Sequence, residues 1–198
     1  MSKRLADQLD LIPPDPNQHD PGGKVRLNLM TGVKGDAVFS EDGRHRTLMR
    51  RWIGETFPDR YILFIGMNPS TADGLVNDPT CAREWTFAQR EGFEAMVKAN
   101  VGDYRATHPK MLLEPGVEAC SPANLPAIRA QAAGAARVVL CHGKLNKALA
   151  PAGRALVEAL QADGIEIWCF GTNGDSSPKH PLYLRADTPL VRWQAIET

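Results

Sequence analysis

Apolar positions along the chain fall into short continuous runs, and these runs predict strands. The clearest is 61–65, Tyr-Ile-Leu-Phe-Ile, which is rich in β-forming residues and contains no charged position. A run without polar alternation is typical of a strand buried on both faces, as in a parallel sheet. Similar runs over 93–101, 136–141 and 165–170 predict three further strands.

Three segments with helical spacing lie between these runs, over 77–90, 121–132 and 154–161. A proline in the first turn of the first segment and a glycine after the last are typical helix boundaries. Strands that alternate with helices predict a mainly parallel sheet covered on both faces. The expected fold is therefore α/β, a three-layer α/β/α domain with a four-stranded, mainly parallel sheet.

Other elements are predicted outside this alternation. Residues 37–40 predict a short strand, 44–53 a helix with apolar residues at helical spacing, and 191–193 part of a terminal helix. The helix predicted over 44–53 would carry the densest positive cluster of the chain, which is Arg44, His45, Arg46, Arg50 and Arg51. Such a cluster is consistent with a solvated helix face, and a phosphate-facing patch is the alternative.

Residues 1–30 differ in composition from the rest of the chain. They contain prolines at positions 13, 14, 16 and 21 and the pair Gly22-Gly23. This pattern predicts an extended or loosely docked arm without a core of its own. Residues 31–198 are expected to form a single α/β domain, which is long enough to bury a full core.

Composition limits the class of function. The 23 basic and 23 acidic residues give a formal net charge of zero, which counts against broad, non-specific nucleic-acid binding without excluding a local basic patch. The four cysteines form no C-x-x-C pair, so no metal or other cofactor is expected. No apolar run is long enough to span a bilayer and the first residues do not resemble a signal peptide, so a cytoplasmic protein is expected.

Polar residues follow each predicted strand, at the end where parallel sheets bind ligands. The strand 61–65 is followed by Gly66 and a polar turn, and the strand 136–141 by His-Gly-Lys. Similar polar segments follow the other two strands, so the four strand ends should converge on one site. A plain turn in which Ser70 or Thr71 caps the next helix is the alternative for the first segment.

The candidate site residues come from these four segments and from the helix after the first one. They are Gly66, Met67, Asn68, Pro69, Ser70, Thr71, Asp73, Asp78, Arg83, Asn100, Tyr104, Arg105, His142, Gly143, Lys144, Lys179 and His180. Either aspartate could instead be a helix cap or a turn residue. The arginines are phosphate ligands or partners of those aspartates, and Tyr104 and Trp85 are candidates for stacking on a base.

Four segments are similar to an uncharacterised bacterial and phage family, the domain of unknown function 1643. They are Asn-Pro-Ser-Thr-Ala-Asp at 68–73, Asp-Pro-Thr at 78–80, Tyr-Arg-Ala-Thr at 104–107 and His-Pro-Leu-Tyr at 180–183. The resemblance extends over about residues 37–193. It implies no established activity.

The order of elements also resembles the uracil-DNA glycosylase superfamily, which has a four-stranded parallel sheet. Gly-Met-Asn-Pro at 66–69 resembles the Gly-x-Asn-Pro motif of its mismatch-specific branch, and 138–143 resembles a strand that ends in Trp-Gly. His180-Pro181 resembles the His-Pro-Ser motif, but Leu182 and Tyr183 depart from it. In the glycosylases that loop enters the minor groove, so the departures favour a small or single-stranded substrate over duplex DNA.

The resemblance implies a hydrolase directed at a nucleobase or nucleotide, which cleaves the N-glycosidic bond of an unusual or modified base. Asn68 would orient a water, His180 would donate a hydrogen bond to the departing base, and Asp73 would supply a carboxylate. Expected partners are a nucleobase, a nucleotide, or single-stranded or modified DNA, with no membrane. The alternatives are a non-catalytic binder of nucleic acid or nucleotide and a nucleotide-handling transferase. An enzyme requires Asn68 and His180 to face one cavity.

Overall fold

A seven-stranded mixed sheet forms the centre of the computed structural model, which describes residues 27–194. The strands of this sheet are β2 (Val33–Phe39), β3 (Arg46–Ile53), β4 (Ile62–Gly66), β6 (Ala95–Asn100), β7 (Arg137–Leu140), β8 (Ile167–Cys169) and β9 (Val191–Arg192). Their spatial order is β2-β3-β6-β4-β7-β8-β9. Two short strands, β1 (Leu27–Asn28) and β5 (Val76–Asn77), pair antiparallel outside this sheet.

Three α-helices connect the strands. They are α1 (Pro79–Arg90), α2 (Asn124–Gly134) and α3 (Ala150–Ala162), and short 3-10 turns form at Pro109–Leu113 and Pro181–Tyr183. The sequence sets the start of α1, because the Asp78 side chain accepts a hydrogen bond from the Cys81 amide at 2.8 Å and Pro79 fits the first turn.

The four central strands are mutually parallel, in the order β6-β4-β7-β8. The chain passes from β4 to its neighbour β6 through α1, and then crosses β4 through α2 to reach β7. The first connection leads to the strand on one side of β4, and the second leads to the strand on its other side. The strand order therefore changes direction at β4. In open α/β sheets a ligand crevice forms at such a point, outside the carboxyl ends of the strands.

Alternate residues of the central strands pack on opposite faces of the sheet. On one face Ile62 and Phe64 pack with the α1 residues Trp85 and Phe87. The other face packs against helices α2 and α3, with Leu63 among its buried residues. The sheet is covered on both sides, and the continuous apolar run of β4 is explained by burial of every one of its residues.

Most predicted elements are confirmed: the four buried strands, the strand near 37–40 and the three alternating helices. The predicted strand number is wrong, because β2 and β3 on one side and β9 on the other extend the parallel strands to seven. The predicted terminal helix is also wrong, since Val191–Arg192 pair antiparallel with β8.

The helix predicted over 44–53 is the strand β3, paired antiparallel with β2 and β6. The spacing of the apolar residues is misleading here, because the buried positions of this segment do not coincide with its apolar positions. Two of the buried positions are arginines. Arg46 is 1% exposed and Arg51 is fully buried, and both guanidinium groups donate to main-chain carbonyls. The basic cluster is therefore neither a helix face nor a uniformly solvated surface.

The predicted arm lies mainly outside the described residues, which begin at position 27. Its last part contributes β1, which pairs with β5 just before α1. Within 27–194, no helix is both long and apolar enough to cross a membrane.

Candidate functional site

A cavity of about 530 Å³ opens where β4, β6 and β7 end. The first turn of α1 and the 3-10 turn Pro181–Tyr183 complete its wall. Its volume lies within the range typical of small-molecule sites, and its position is the crevice that the strand order predicts. The cavity is therefore the candidate site.

The structure brings eleven of the seventeen predicted site residues into the cavity lining. They are Gly66, Met67, Asn68, Ser70, Thr71, Asp78, Asn100, His142, Gly143, Lys144 and His180. These residues come from five separate segments of the chain, at positions 66–71, 78, 100, 142–144 and 180. Residues that are distant in the sequence therefore line one cavity.

The other six predicted residues lie outside the lining, which does not include Pro69, Asp73, Arg83, Tyr104, Arg105 or Lys179. The Asp73 carboxylate accepts hydrogen bonds from the amides of Leu75 and Val76, so it stabilises a turn. The Arg83 guanidinium donates to the Leu184 carbonyl, at 2.5 Å, and lies over the ring of Phe87.

Tyr104 and Arg105 lie beside the start of β3 and away from the cavity. The Tyr104 ring contacts His45 edge-on, and Arg105 donates to the Gly43 carbonyl and lies over the ring of Phe39. Trp85, the other predicted stacking residue, is buried in the core against the sheet. The structure thus brings neither predicted aromatic residue into the site.

Asn68 has a fixed amide orientation. Its Nδ2 donates to the carbonyls of Pro69, at 3.0 Å, and Ala106, at 2.6 Å. Because carbonyl oxygens only accept, the amide nitrogen must face them. Among the described residues no donor reaches Oδ1, so this oxygen is the atom of Asn68 that can accept a hydrogen bond from a ligand or a water.

His180 is held as a neutral donor. Its Nδ1 accepts a hydrogen bond from the Leu182 amide at 3.4 Å, at the start of the 3-10 turn. Burial lowers the pKa of His180 to about 4, and the nearby Lys98 charge acts in the same direction. A neutral imidazole that accepts at Nδ1 carries its proton on Nε2. The group it can offer a ligand is therefore an Nε2–H donor.

His142 has the opposite tautomer. Its Nδ1 lies 2.6 Å from the Gly143 carbonyl and must donate to it. Burial lowers the pKa of His142 to about 4, although the bond to Gly143 acts in the other direction. The neutral ring therefore has its lone pair on Nε2. One cavity wall thus combines a histidine acceptor with a histidine donor.

One lining residue, Lys98, belongs to a buried ion pair that the sequence did not indicate. Lys98 of β6, 4% exposed, donates to the fully buried carboxylate of Glu84 in α1. Gly66 makes room for it, because a Cβ at this position would lie 2.5 Å from Lys98 Nζ and 2.9 Å from Asn100 Oδ1. In the sequence, a glycine at the end of an apolar run indicated that another group packs closely against Gly66. The sequence did not indicate that this group is Lys98.

The remaining lining residues were not among the predicted site residues, although Arg46 belonged to the cluster for which a phosphate-facing patch was the alternative. They are Arg46, Pro79, Thr80, Cys81, Ala106, Thr107, Pro109, Leu182 and Tyr183. Tyr183 is an aromatic residue at the cavity mouth, 84% exposed, with its ring 5.6 Å from that of His180. In the sequence, positions 182 and 183 belong to a segment similar to the family of unknown function and depart from the glycosylase motif, and neither observation indicated a site role.

A metal centre finds no support in the described part of the chain, where no group of three or more His, Cys, Asp and Glu side chains is arranged to hold an ion. The four cysteines are free, and three of them are buried. The polar groups of the cavity are suited to hydrogen bonding with an organic ligand.

Comparison with known proteins identifies the family to which the chain belongs. A model of the family described as protein of unknown function (DUF1643) matches residues 45–182, which is more than half of the chain. The chain is a DUF1643 protein. The matched segment includes every cavity-lining residue except Tyr183, so the candidate site belongs to the family region. Searches of curated proteins and of solved structures gave no match.

Proposed function

We propose that this DUF1643 protein is a hydrolase acting on a nucleobase or nucleotide, and that it cleaves the N-glycosidic bond of an unusual or modified base. The observation that carries the proposal is the presence of Asn68 and His180 in one cavity, with opposite hydrogen-bonding roles. The choice of reaction rests on the resemblance of Gly-Met-Asn-Pro at 66–69 and His180-Pro181 to motifs of the uracil-DNA glycosylases.

The reaction requires a group that positions the attacking water and a group that stabilises the departing base. A water oxygen bonds to the sugar C1′ while the C1′–N bond breaks. The electron pair of the broken C1′–N bond leaves with the base. The sugar becomes cationic and the base anionic in the transition state. The proton lost by water reaches the base through solvent, which gives a free base and a sugar hydroxyl.

Asn68 suits the water side of this reaction. Its Oδ1 can accept a hydrogen bond from the attacking water, while Pro69 and Ala106 hold its amide nitrogen. A carboxamide orients water without itself taking up a proton, and its oxygen tolerates a nearby cationic sugar. Positioning of this kind can supply a large part of a rate enhancement.

His180 suits the base side. A neutral Nε2–H donor stabilises negative charge that develops on a carbonyl oxygen of the leaving base. The Nε2 acceptor of His142 complements an N–H of the same base, so the two rings match a base edge with adjacent N–H and C=O groups. Tyr183 is positioned at the mouth to stack on such a base.

The test is release of free base. The protein is incubated with nucleotides and single-stranded oligonucleotides containing uracil, hypoxanthine or hydroxymethyluracil, and released base and alkali-labile abasic sites are measured. We expect release by the wild type, and a loss of about 10²–10³-fold in kcat for Asn68→Ala and for His180→Gln. Asn173→Ala and His108→Gln, which alter exposed residues outside the lining, serve as matched controls.

Absence of base release from every substrate would contradict a glycosylase. Nucleotide binding that persists without release, and that weakens in Asn68→Ala, would instead identify a non-catalytic binding protein. Transfer of the sugar to an added acceptor other than water would identify the transferase alternative.

A further inference from the structure

We propose that the cavity contains a binding site for a phosphate group, formed by Arg46 beside the first turn of α1, and that the ligand is a mononucleotide. The identity of the base rests on the proposed function above. The phosphate site itself does not, because it follows from a buried guanidinium group for which residues 27–194 supply no counter-ion.

Arg46 is 1% exposed and lines the cavity. Its Nη1 donates to the Ala72 carbonyl, while its Nε is buried without a hydrogen-bond partner. None of the ion pairs found in residues 27–194 includes it. An unpaired buried charge is costly, so a site of this kind is expected to be completed by a ligand of opposite charge.

Arg51, on the same strand, is a buried arginine with a structural role. All three of its guanidinium nitrogens donate hydrogen bonds, with distances of 2.5–2.9 Å. The acceptors are Asn77 Oδ1 and the carbonyls of Arg50, Asp73 and Val76. Arg51 does not line the cavity. Both arginines are almost fully buried. Of the two, only Arg46, on the cavity wall, has a guanidinium nitrogen without a hydrogen-bond partner among the described residues.

The surroundings of Arg46 favour an anion. Three cations and one carboxylate, Asp78, line the cavity. Two of the cations already have partners, since Lys98 pairs with Glu84 and Lys144 lies 3.4 Å from Asp175. Arg46 is therefore the lining cation whose charge is not compensated by a direct contact.

Helix α1 contributes a second favourable element. Its first residues, Pro79, Thr80 and Cys81, line the same cavity, and twelve residues of helix direct the positive end of their dipole there. Burial raises the pKa of the Cys81 thiol, whereas the charges of Arg46 and Lys98 act to lower it, so both cations lie near this turn. A helix start beside a guanidinium group is well suited to phosphate.

Asp78 limits where the phosphate can lie. One carboxylate oxygen accepts from the Cys81 amide as the cap of α1, and its charge would repel an anion placed directly at the cap. The phosphate is therefore expected on the Arg46 side of the first turn, near Thr80. The base then extends into the part of the cavity lined by His142 and His180.

The experiment compares binding of deoxyuridine and deoxyinosine with binding of their 5′-monophosphates by calorimetry. The wild type is expected to bind each monophosphate at least about tenfold more tightly than its nucleoside, because a charge-assisted contact is added. Arg46→Gln should reduce this ratio to less than about twofold. Arg60→Gln should retain it, since Arg60 is an exposed arginine with one carbonyl partner outside the cavity.

A second measurement needs no variant. Inorganic phosphate is titrated into the ¹⁵N-labelled wild type, with sodium chloride at matched ionic strength as the reference. Phosphate should shift the Nε–H resonance of Arg46 and leave that of Arg51 unchanged, because Arg51 Nε is already bonded to Asn77 at 2.9 Å.

Equal affinity for nucleosides and monophosphates, or an unchanged ratio in a folded Arg46→Gln, would overturn the proposal. So would tight binding of an oligonucleotide without preference for the mononucleotide. Phosphate binding in a protein that releases no base would refute only the glycosylase. Base release without a phosphate preference would refute only the phosphate site.

Discussion

His142, which is buried, and His180, which is partly buried, illustrate how much a single residue's surroundings determine its chemistry. The sequence identified His142 and His180 as polar groups after strands, and the resemblance to the glycosylases implied a donor role for His180 alone. Their neutral state and opposite tautomers follow from the Gly143 carbonyl and the Leu182 amide, which the fold brings to each Nδ1. The acceptor role of His142, and the contacts that fix the tautomer of each ring, had no sign in the sequence.

The depressed pKa of His142 predicts a pH-dependent stability. The folded protein binds this proton only near pH 4, whereas the unfolded chain binds it near pH 6.5, so protonation favours unfolding as pH falls through this window. The free energy of unfolding should fall by about 2 kcal/mol between pH 7 and pH 5 from this residue. Urea unfolding at both pH values measures the change.

His142→Gln supplies the control for this prediction, because glutamine keeps a donor for the Gly143 carbonyl and does not titrate. Its loss of stability between pH 7 and pH 5 should be smaller than that of the wild type by about the same amount. A variant with the wild-type pH dependence would show that His142 is not the responsible group.

At the scale of elements, β3 shows why a periodic pattern can mislead. Leu48, Met49, Trp52 and Ile53 have helical spacing, but β3 has strand neighbours on both sides that supply its backbone hydrogen bonds. Long-range pairing of this kind overrides local propensity. Because β3 runs antiparallel to β6, its first residue, Arg46, lies at the edge where the parallel strands end.

The adjacent residues Arg50 and Arg51 test this account of β3. In a helix face both would be solvated, whereas in the strand Arg50 pairs with Asp36 at the surface and Arg51 is fully buried. Arg51→Gln should lower the free energy of unfolding by about 2–3 kcal/mol, because buried carbonyls lose their donors. Arg50→Gln should cost less than about 1 kcal/mol.

Chemical denaturation of the two single variants makes the comparison. Equal losses at the two positions would contradict the burial of Arg51.

At the scale of the whole molecule, the alternation of buried strands and helices was sufficient to predict a layered α/β fold and a site at one sheet edge. The flanking strands β2, β3 and β9 were less predictable because their pairing depends on distant partners. The same limit applies to the site. Asn68 and His180 lie in polar segments that can be recognised in the sequence because they follow apolar runs. Arg46 and the Lys98–Glu84 pair are brought to the cavity by tertiary packing, which the sequence pattern does not indicate.

The most direct test of the central claim is a crystal structure with a bound nucleotide that cannot be hydrolysed. Pseudouridine monophosphate is suitable, because a carbon–carbon bond replaces its N-glycosidic bond. The account predicts a base carbonyl within hydrogen-bond distance of His180 Nε2 and a water on Asn68 Oδ1 facing the sugar C1′. A base bound elsewhere, or one that contacts neither side chain, would contradict it.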